Sequence, residues 1–190
     1  TSTMTYLGKE GNLLHPNEEN ARRIFLDTPI LTNGEYNQLL YNYEKDFQAA
    51  TISLEMKGSL ENELTRIRKQ AVKAIEDGFT LIMLCDNNED TSVPAVPMLL
   101  AVSSLHQYLV REGLRTKVSL IANSAEAREV HHFAALISFG ADAINPYLAY
   151  ATIYEAIDKM YLNMDYQLAI KQFRKGIAEG VVKVMSKMGI

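Results

Sequence analysis

The run FTLIMLC at 79–85 is apolar at every position but Thr80. A strand that is apolar on both faces needs cover on both, and a parallel sheet flanked by helices supplies it. Five polar residues follow at once: Asp86, Asn87, Asn88, Glu89 and Asp90. An apolar strand that runs into a polar loop marks the carboxyl end of a parallel strand, where ligands of such sheets bind. From Thr51 onward the chain repeats this unit. TISLEM at 51–56 alternates like a short strand. Ser59 can cap a helix whose stripe is Leu60, Leu64, Ile67, Ala71, Ala74 and Ile75, and Gly78 closes it. After Pro94 and Pro97 the spacing predicts a helix with Met98, Val102, Leu105 and Leu109 on one face, stopped by Gly113.

Residues 118–122 are a further buried strand. Ser124 is expected to cap the next helix, which carries Val130, Phe133, Ala134 and Ile137 and ends at Gly140. A fourth strand is expected over 141–144, terminated by Asn145 and Pro146. Two helices finish the chain, one over about 149–162 and one from near 165. The second carries Leu168, Phe173, Ile177, Val181, Val184 and Met188 on one side. Gly176 and Gly180 interrupt it, each costing about 1 kcal/mol against alanine. Close packing against a neighbour explains such glycines more simply than a hinge does.

This alternation predicts an α/β fold with a parallel sheet of about four strands and flanking helices. The count is too small for an eight-strand barrel, so the sheet is open or shaped like half a barrel. An irregular short-helix arm precedes it. Two parts are expected, a connecting arm over 1–50 and an α/β body over 51–190. In the arm, Pro16 followed by Asn17, Glu18 and Glu19 predicts a short helix over NEENARRIF, which Pro29 cannot continue. Thr32 and Glu35 have capping-box spacing and open a second short helix through Tyr41. With few long apolar faces, the arm is expected to lie across the surface of a larger body.

Composition narrows the function classes. The formal charge is 19 − 23 = −4, with no basic stripe, which argues against a nucleic-acid partner. No apolar run approaches the ~18 residues of a membrane span, and the N-terminus lacks a signal-peptide pattern. The single cysteine, Cys85, excludes an internal disulfide and suits a reducing compartment, so a cytoplasmic location is expected. A start at Thr1 and a stop just after a helical run suggest a piece of a longer polypeptide.

Several residues have the chemistry of a site. Asp86 and its loop offer oxygen ligands to a hard cation, but lack the alternation and final glutamate of a calcium loop. A solvated connection is the simpler reading, and an acid–base site at Asp86 is one alternative. Cys85 ends an apolar strand, where burial raises a thiol's pKa and makes it inert. Arg128 and His132 are four apart and would share the outer face of a helix. His131 would turn about 100° away, to the flank of the buried face. Arg128 and His132, with Asn145 at the strand end, can make an anion or carboxylate pocket, or a contact with a neighbouring domain. His106 sits at the edge of its helix's stripe and reads as a satisfied, half-buried histidine. The motifs GxGxxG, GxxxxGKS/T, GxSxG and HExxH are all absent. The residues alone describe an α/β domain. A stand-alone metabolite- or anion-binding domain is the alternative function.

Six blocks resemble the central region of the glutamate synthase large chain. They are Tyr6-Leu7-Gly8 with Gly11-Asn12-Leu13-Leu14; Pro29-Ile30-Leu31-Thr32; Arg111-Glu112-Gly113-Leu114-Arg115-Thr116; Glu126-Ala127-Arg128-Glu129-Val130-His131-His132-Phe133; Gly140-Ala141-Asp142-Ala143-Ile144-Asn145-Pro146-Tyr147-Leu148; and Lys183-Val184-Met185-Ser186-Lys187-Met188-Gly189-Ile190. The resemblance implies a parent enzyme that converts L-glutamine and 2-oxoglutarate to two L-glutamates. It implies an amidotransferase domain, an FMN-binding synthase domain with an iron–sulfur cluster, and a middle region that links them. Electrons would come from NADPH, NADH or ferredoxin, through a small electron-donating subunit or ferredoxin as partner. No catalytic, FMN or cluster residue carries over to a position of this chain. The resemblance therefore implies a module that is inactive by itself. Its candidate interface or anion contacts are Arg128, His132, Asp86 and Asn145. Asp142, Asn145 and Pro146 are expected to fix the strand end, with Arg128 and His132 facing a neighbouring domain.

Overall fold

The computed structural model describes residues 2–11, 14–15, 17–42, 44–88 and 92–189. Asn12, Leu13 and Pro16 of the arm, Glu89 and Asp90 of the polar loop, and Ile190 therefore lie outside the described residues. In chain order the elements are β1 (Thr5–Leu7), β2 (Ile24–Leu26), α1 (Asn33–Leu40), β3 (Ala49–Ser53), α2 (Leu60–Glu76), β4 (Leu81–Cys85), α3 (Met98–Arg111), β5 (Ser119–Asn123), α4 (Val130–Ser138), β6 (Ala143–Asn145), α5 (Tyr147–Asp158) and α6 (Tyr166–Met188).

The α/β class is as expected. Four strands pair in parallel in sequence order, β3-β4-β5-β6. The register sets Leu81 beside Ala49 and Ser119, and Ala143 beside Ile121. Side chains alternate between the two faces, as strands require. Ile52, Ile82, Leu84, Leu120, Ala122 and Ile144 face a core built with α2, α3, α4 and α6. Leu81, Met83, Cys85, Ile121 and Ala143 face the other way, and there the cover is the arm.

This is where the arm departs from expectation. Leu7, Leu31, Tyr36, Leu39 and Phe47 are all buried against that second face. Residues 29–31 also lengthen the sheet: Leu31 N–H donates to Ile144 O at 2.8 Å and Ile144 N–H to Pro29 O at 2.7 Å. The arm's apolar residues are too scattered to form a helical stripe. A sheet face can still gather them one by one from short segments. Fully burying side chains of this size contributes roughly 1.5–3 kcal/mol each, so the arm belongs to the core.

Among the described residues, three of the six α-helices start on a local side-chain cap. Thr32 Oγ1 accepts from Glu35 N–H at 3.1 Å and Glu35 Oε2 from Thr32 N–H at 2.7 Å, the expected capping box of α1. Ser59 Oγ caps α2 through Asn62 N–H at 3.3 Å. Asp165 Oδ1 caps α6 through Leu168 N–H at 3.0 Å. In α3, Met98, Val102, Leu105 and Leu109 are fully buried. In α2 the stripe is narrower than predicted, because Leu60 is exposed while Ile67, Ala71 and Ala74 are buried.

Three local expectations fail. The segment NEENARRIF holds only a 3-10 turn at Glu18–Ala21, and Ile24–Leu26 instead pairs antiparallel with β1. The β-rich IFL is drawn into a two-stranded ribbon, where Tyr6 and Phe25 stand opposite each other. Ser124 does not cap α4, which begins at Val130 after Glu129. The penultimate helix starts at Tyr147, two residues earlier than expected, directly after Pro146.

The two glycines of α6 differ. A Cβ at Gly180 would lie 2.4 Å from Val130 Cγ2 of α4, so close packing explains that position. A Cβ at Gly176 would meet nothing within 4 Å. Among the described residues no helix is long and apolar enough to cross a membrane.

Candidate functional site

The C-terminal strand ends align Cys85 with Asn123, and Asn123 with Asn145. Alternation with Met83, Ile121 and Ala143 turns these three toward the arm. There the Cys85 Sγ lies 3.1 Å from the Tyr36 hydroxyl. Asn145 is buried and its Nδ2 donates to Thr32 O at 3.3 Å. Its Oδ1 has no partner among the described residues. Burial pushes the Cys85 thiol up, and it pushes the Tyr36 hydroxyl up as well. Both stay protonated, so Cys85 is the inert thiol expected of it.

One residue further along, the chain turns to the helix side. The Asp86 carboxylate accepts from Ser124 Oγ at 3.0 Å and from Ala125 N–H at 3.0 Å. The Tyr147 hydroxyl, at the start of α5, faces the same carboxyl. Burial nevertheless pushes the Asp86 carboxyl up, because desolvation outweighs these hydrogen bonds. Ser124 Oγ also accepts from Glu126 N–H at 3.1 Å, so it builds a turn instead of a helix cap. Asp86 thus ties the end of β4 to the end of β5, beside the start of α5.

Arg128 and His132 are neighbours, but not as a helical pair. Arg128 precedes α4 and its side chain is exposed. Its backbone N–H donates to His132 Nδ1 at 3.3 Å. His132 Nε2 lies 3.5 Å from Glu129 Oε1. The imidazole therefore closes the first turn of α4, which lacks a side-chain cap of its own. His132 is half-buried and His131 exposed, the reverse of the helical phase reading, because the His132 ring folds back to accept from the backbone ahead of α4.

The sequence reading missed Glu126. Its Oε2 accepts from Met98 N–H at 3.2 Å, at the N-terminus of α3. Burial pushes the Glu126 carboxyl up. The usable signal was Pro97, which cannot cap α3 with a side chain and so leaves that end to a distant acceptor. Tyr36 and Tyr147 were missed too, since each is brought in from an element far away in sequence.

A second polar cluster lies at the opposite, N-terminal strand ends. Arg115 donates to His106 Nδ1 at 3.0 Å, Val118 O at 2.7 Å, Gly140 O at 3.0 Å and Asp142 Oδ2 at 2.7 Å. Asp142 Oδ2 also accepts from Leu120 N–H at 2.7 Å. His106 is half-buried, and burial followed by the Arg115 charge holds its pKa down. A neutral imidazole is what an Arg donor requires. Asp142 therefore fixes the start of β6, whereas Asn145 fixes its end. A Cβ at Gly140, where φ is +115°, would lie 2.3 Å from His106 Nδ1. Glycine is needed there for both the turn and the contact.

Neither group implied by the resemblance fits these residues. The sheet face that could receive a flavin is filled by Leu7, Leu31, Tyr36, Leu39 and Phe47. A cysteine-ligated cluster needs several thiolates, and the sequence holds Cys85 alone. Among the described residues no three His, Cys, Asp or Glu side chains converge as a metal site. Two hollows of at least about 610 Å³ beside basic side chains lie away from the Asp86 cluster. One of about 700 Å³ runs between the arm and α6 and touches Glu35, Lys171 and Arg174. The other, of about 610 Å³, lies beside Arg22, Asp46 and Thr80.

Comparison with known proteins matches this architecture to one family. The model of the glutamate synthase central domain matches residues 1–190. The NADPH glutamate synthase large chain of Bacillus subtilis (strain 168) is 54% identical over 190 residues, which are 100% of this chain and 12% of that one. The NADH glutamate synthase of Schizosaccharomyces pombe is 36% identical over 199 residues, 100% of this chain and 9% of that protein. The chloroplastic ferredoxin-dependent glutamate synthase of Spinacia oleracea is 34% identical over 200 residues, 97% of this chain and 12% of that protein. The chain thus spans about a tenth of the length of the relatives it matches. With the whole chain matched, this protein belongs to the glutamate synthase central domain family.

Proposed function

We propose that this chain is the inter-domain module of a glutamate synthase large chain. In this reading it holds an amidotransferase domain and an FMN-binding synthase domain in register. The parent enzyme converts L-glutamine, 2-oxoglutarate and reductant to two L-glutamates. FMN and the iron–sulfur cluster reside in the synthase domain. Residues 1–50 serve as the connecting arm and 51–190 as the α/β body.

The observation that carries the proposal is the state of the strand ends. In parallel α/β sheets those ends hold the ligand. Here Asp86 is held by Ser124 and Ala125, and Cys85 pairs with Tyr36. The sheet face beside them is filled by the arm. The polar groups brace the fold, and the surface is left for neighbours. The relatives' names give NADPH, NADH and ferredoxin as reductants, all with this segment. The contact with a small electron-donating subunit or with ferredoxin accordingly belongs to other domains.

In this reading Arg128 and His132 face a neighbouring domain, and the exposure of the Arg128 side chain supports it. Asp86 and Asn145 act inside the module. The test uses the full-length large chain carrying Arg128→Ala. Glutamate formation from glutamine should fall, while formation from added ammonia is retained. Equal rates from both nitrogen sources, unchanged from the parent, would refute the role of Arg128 in linking.

A further inference from the structure

The end of α5 is built unlike the other helix ends. It closes in a Schellman motif: Tyr161 N–H bonds Ala156 O at 2.8 Å and Met160 N–H bonds Ile157 O at 3.0 Å. The residue in the left-handed position is Met160, at φ +57°, the sole non-glycine with positive φ among the described residues. That position ordinarily takes glycine, because a side chain there is strained. Met160 is 90% exposed, and Tyr161, whose place in the motif ordinarily packs back on the helix, is 82% exposed. Two large apolar side chains are thus held out into solvent on a hydrogen-bonded corner.

The neighbouring surface continues this character. Leu148, Tyr154 and Leu168 are exposed large hydrophobics, and Ala151 and Thr152 are exposed between them. Tyr154 stacks edge-on against Tyr166, a contact that ties α5 to α6 across the corner. Large apolar side chains left exposed along one helix and its corner mark a protein contact. The charges at its rim are mostly acidic: Glu155, Asp158 and Asp165 against Lys159, which pairs with Glu155.

We infer that the outer face of α5 and the 158–161 corner dock onto another domain of the same large chain, which offers an apolar hollow with a basic rim. This rests on the linking role proposed above and names the surface that performs it. Two observations select the occupant. The chain covers only 12% of the Bacillus large chain, so most of such a polypeptide lies beyond these residues and can supply the hollow. A second copy is disfavoured by charge: a two-fold contact would set Asp158 and its acidic neighbours against themselves.

The test is made on the full-length large chain. Tyr161 is replaced by the photo-crosslinker p-benzoyl-phenylalanine, in a mixture of isotopically light and heavy chains. Hydroxyl-radical labelling reads the exposure of Met160 in the unmodified enzyme. The expected result is a light–light or heavy–heavy crosslink into sequence outside these residues, with loss of Met160 oxidation. Mixed light–heavy crosslinks would make the occupant a second copy and overturn the inference. A crosslink to another subunit, or Met160 oxidised as fast as in a free peptide, would overturn it too. If Met160 is freely oxidised while Arg128→Ala still uncouples glutamine from ammonia use, the surface is wrong and the linking role stands. If Met160 is protected while Arg128→Ala changes nothing, the corner docks, but Arg128 has no part in coupling.

Discussion

Placing alanine at Gly176 and at Gly180 makes the same chemical change twice in one helix, with opposite expected signs. In an open helix interior the change gains about 0.5–1 kcal/mol, because glycine loses more backbone entropy on folding. At Gly176 nothing lies within 4 Å of the new Cβ, so the full gain is expected. At Gly180 the Cβ would sit 2.4 Å from Val130 Cγ2 and 2.9 Å from Cγ1. Val130 starts α4 and is held between α4 and α6, so one helix must shift or the valine must leave its rotamer. Overpacking of that kind costs about 1–3 kcal/mol, so Gly180→Ala should be destabilising by about 1 kcal/mol net. Urea unfolding of the 190-residue chain measures both. The two variants should differ by about 2 kcal/mol, roughly 4–8 °C in Tm at this size. In a Val130→Ala background the clashing methyls are gone, and Gly180→Ala should turn neutral or stabilising. If Gly180→Ala stabilises as much as Gly176→Ala, the close approach of α6 to α4 is refuted.

Arg115→Ala removes the donor shared by His106, Val118 O, Gly140 O and Asp142, and leaves a largely buried carboxylate with one remaining partner. A loss of about 2–3 kcal/mol in urea unfolding is expected; a loss below about 0.5 kcal/mol would place that cluster among ordinary surface contacts. Tyr150 donates to Leu31 O at 2.9 Å from a fully buried position, so Tyr150→Phe orphans a carbonyl of the arm and should cost about 1–3 kcal/mol by the same assay. The Asp86 carboxyl is raised above its ordinary 3.8 in the folded state. Its contribution to stability is therefore fully present below pH 3.8 and is lost as pH rises through the raised value. Asp86→Asn removes that titration, so the gap between variant and parent should open across this window in the variant's favour and stay constant above it, as read by unfolding at a series of pH values.

The body of the fold was readable because its signals are local. The run 79–85, the stripe of α3 and the caps at Thr32 and Ser59 each fix an element from a few adjacent residues. What the sequence concealed depends on distant partners. Leu7, Leu31 and Phe47 show no periodicity of their own, and only the sheet face gathers them. Ser124 has the look of a helix cap until Asp86, on another strand end, is seen to engage its hydroxyl. Helical phase misplaced His131 and His132, because it could not foresee that the His132 ring folds back onto Arg128 N–H ahead of α4. Glu126 could be found only once α3 was known to start without a cap of its own.

The measurement that bears most directly on the strand ends is calorimetric titration of the 190-residue chain with 2-oxoglutarate and with L-glutamine. With Asp86, Cys85 and Asn145 held by the protein's own groups and the sheet face filled by the arm, neither titration should give binding heat. Micromolar binding of either compound, abolished by Asp86→Asn or by a change at Asn145, would show that the strand ends form a working ligand site, in contradiction to a bracing role.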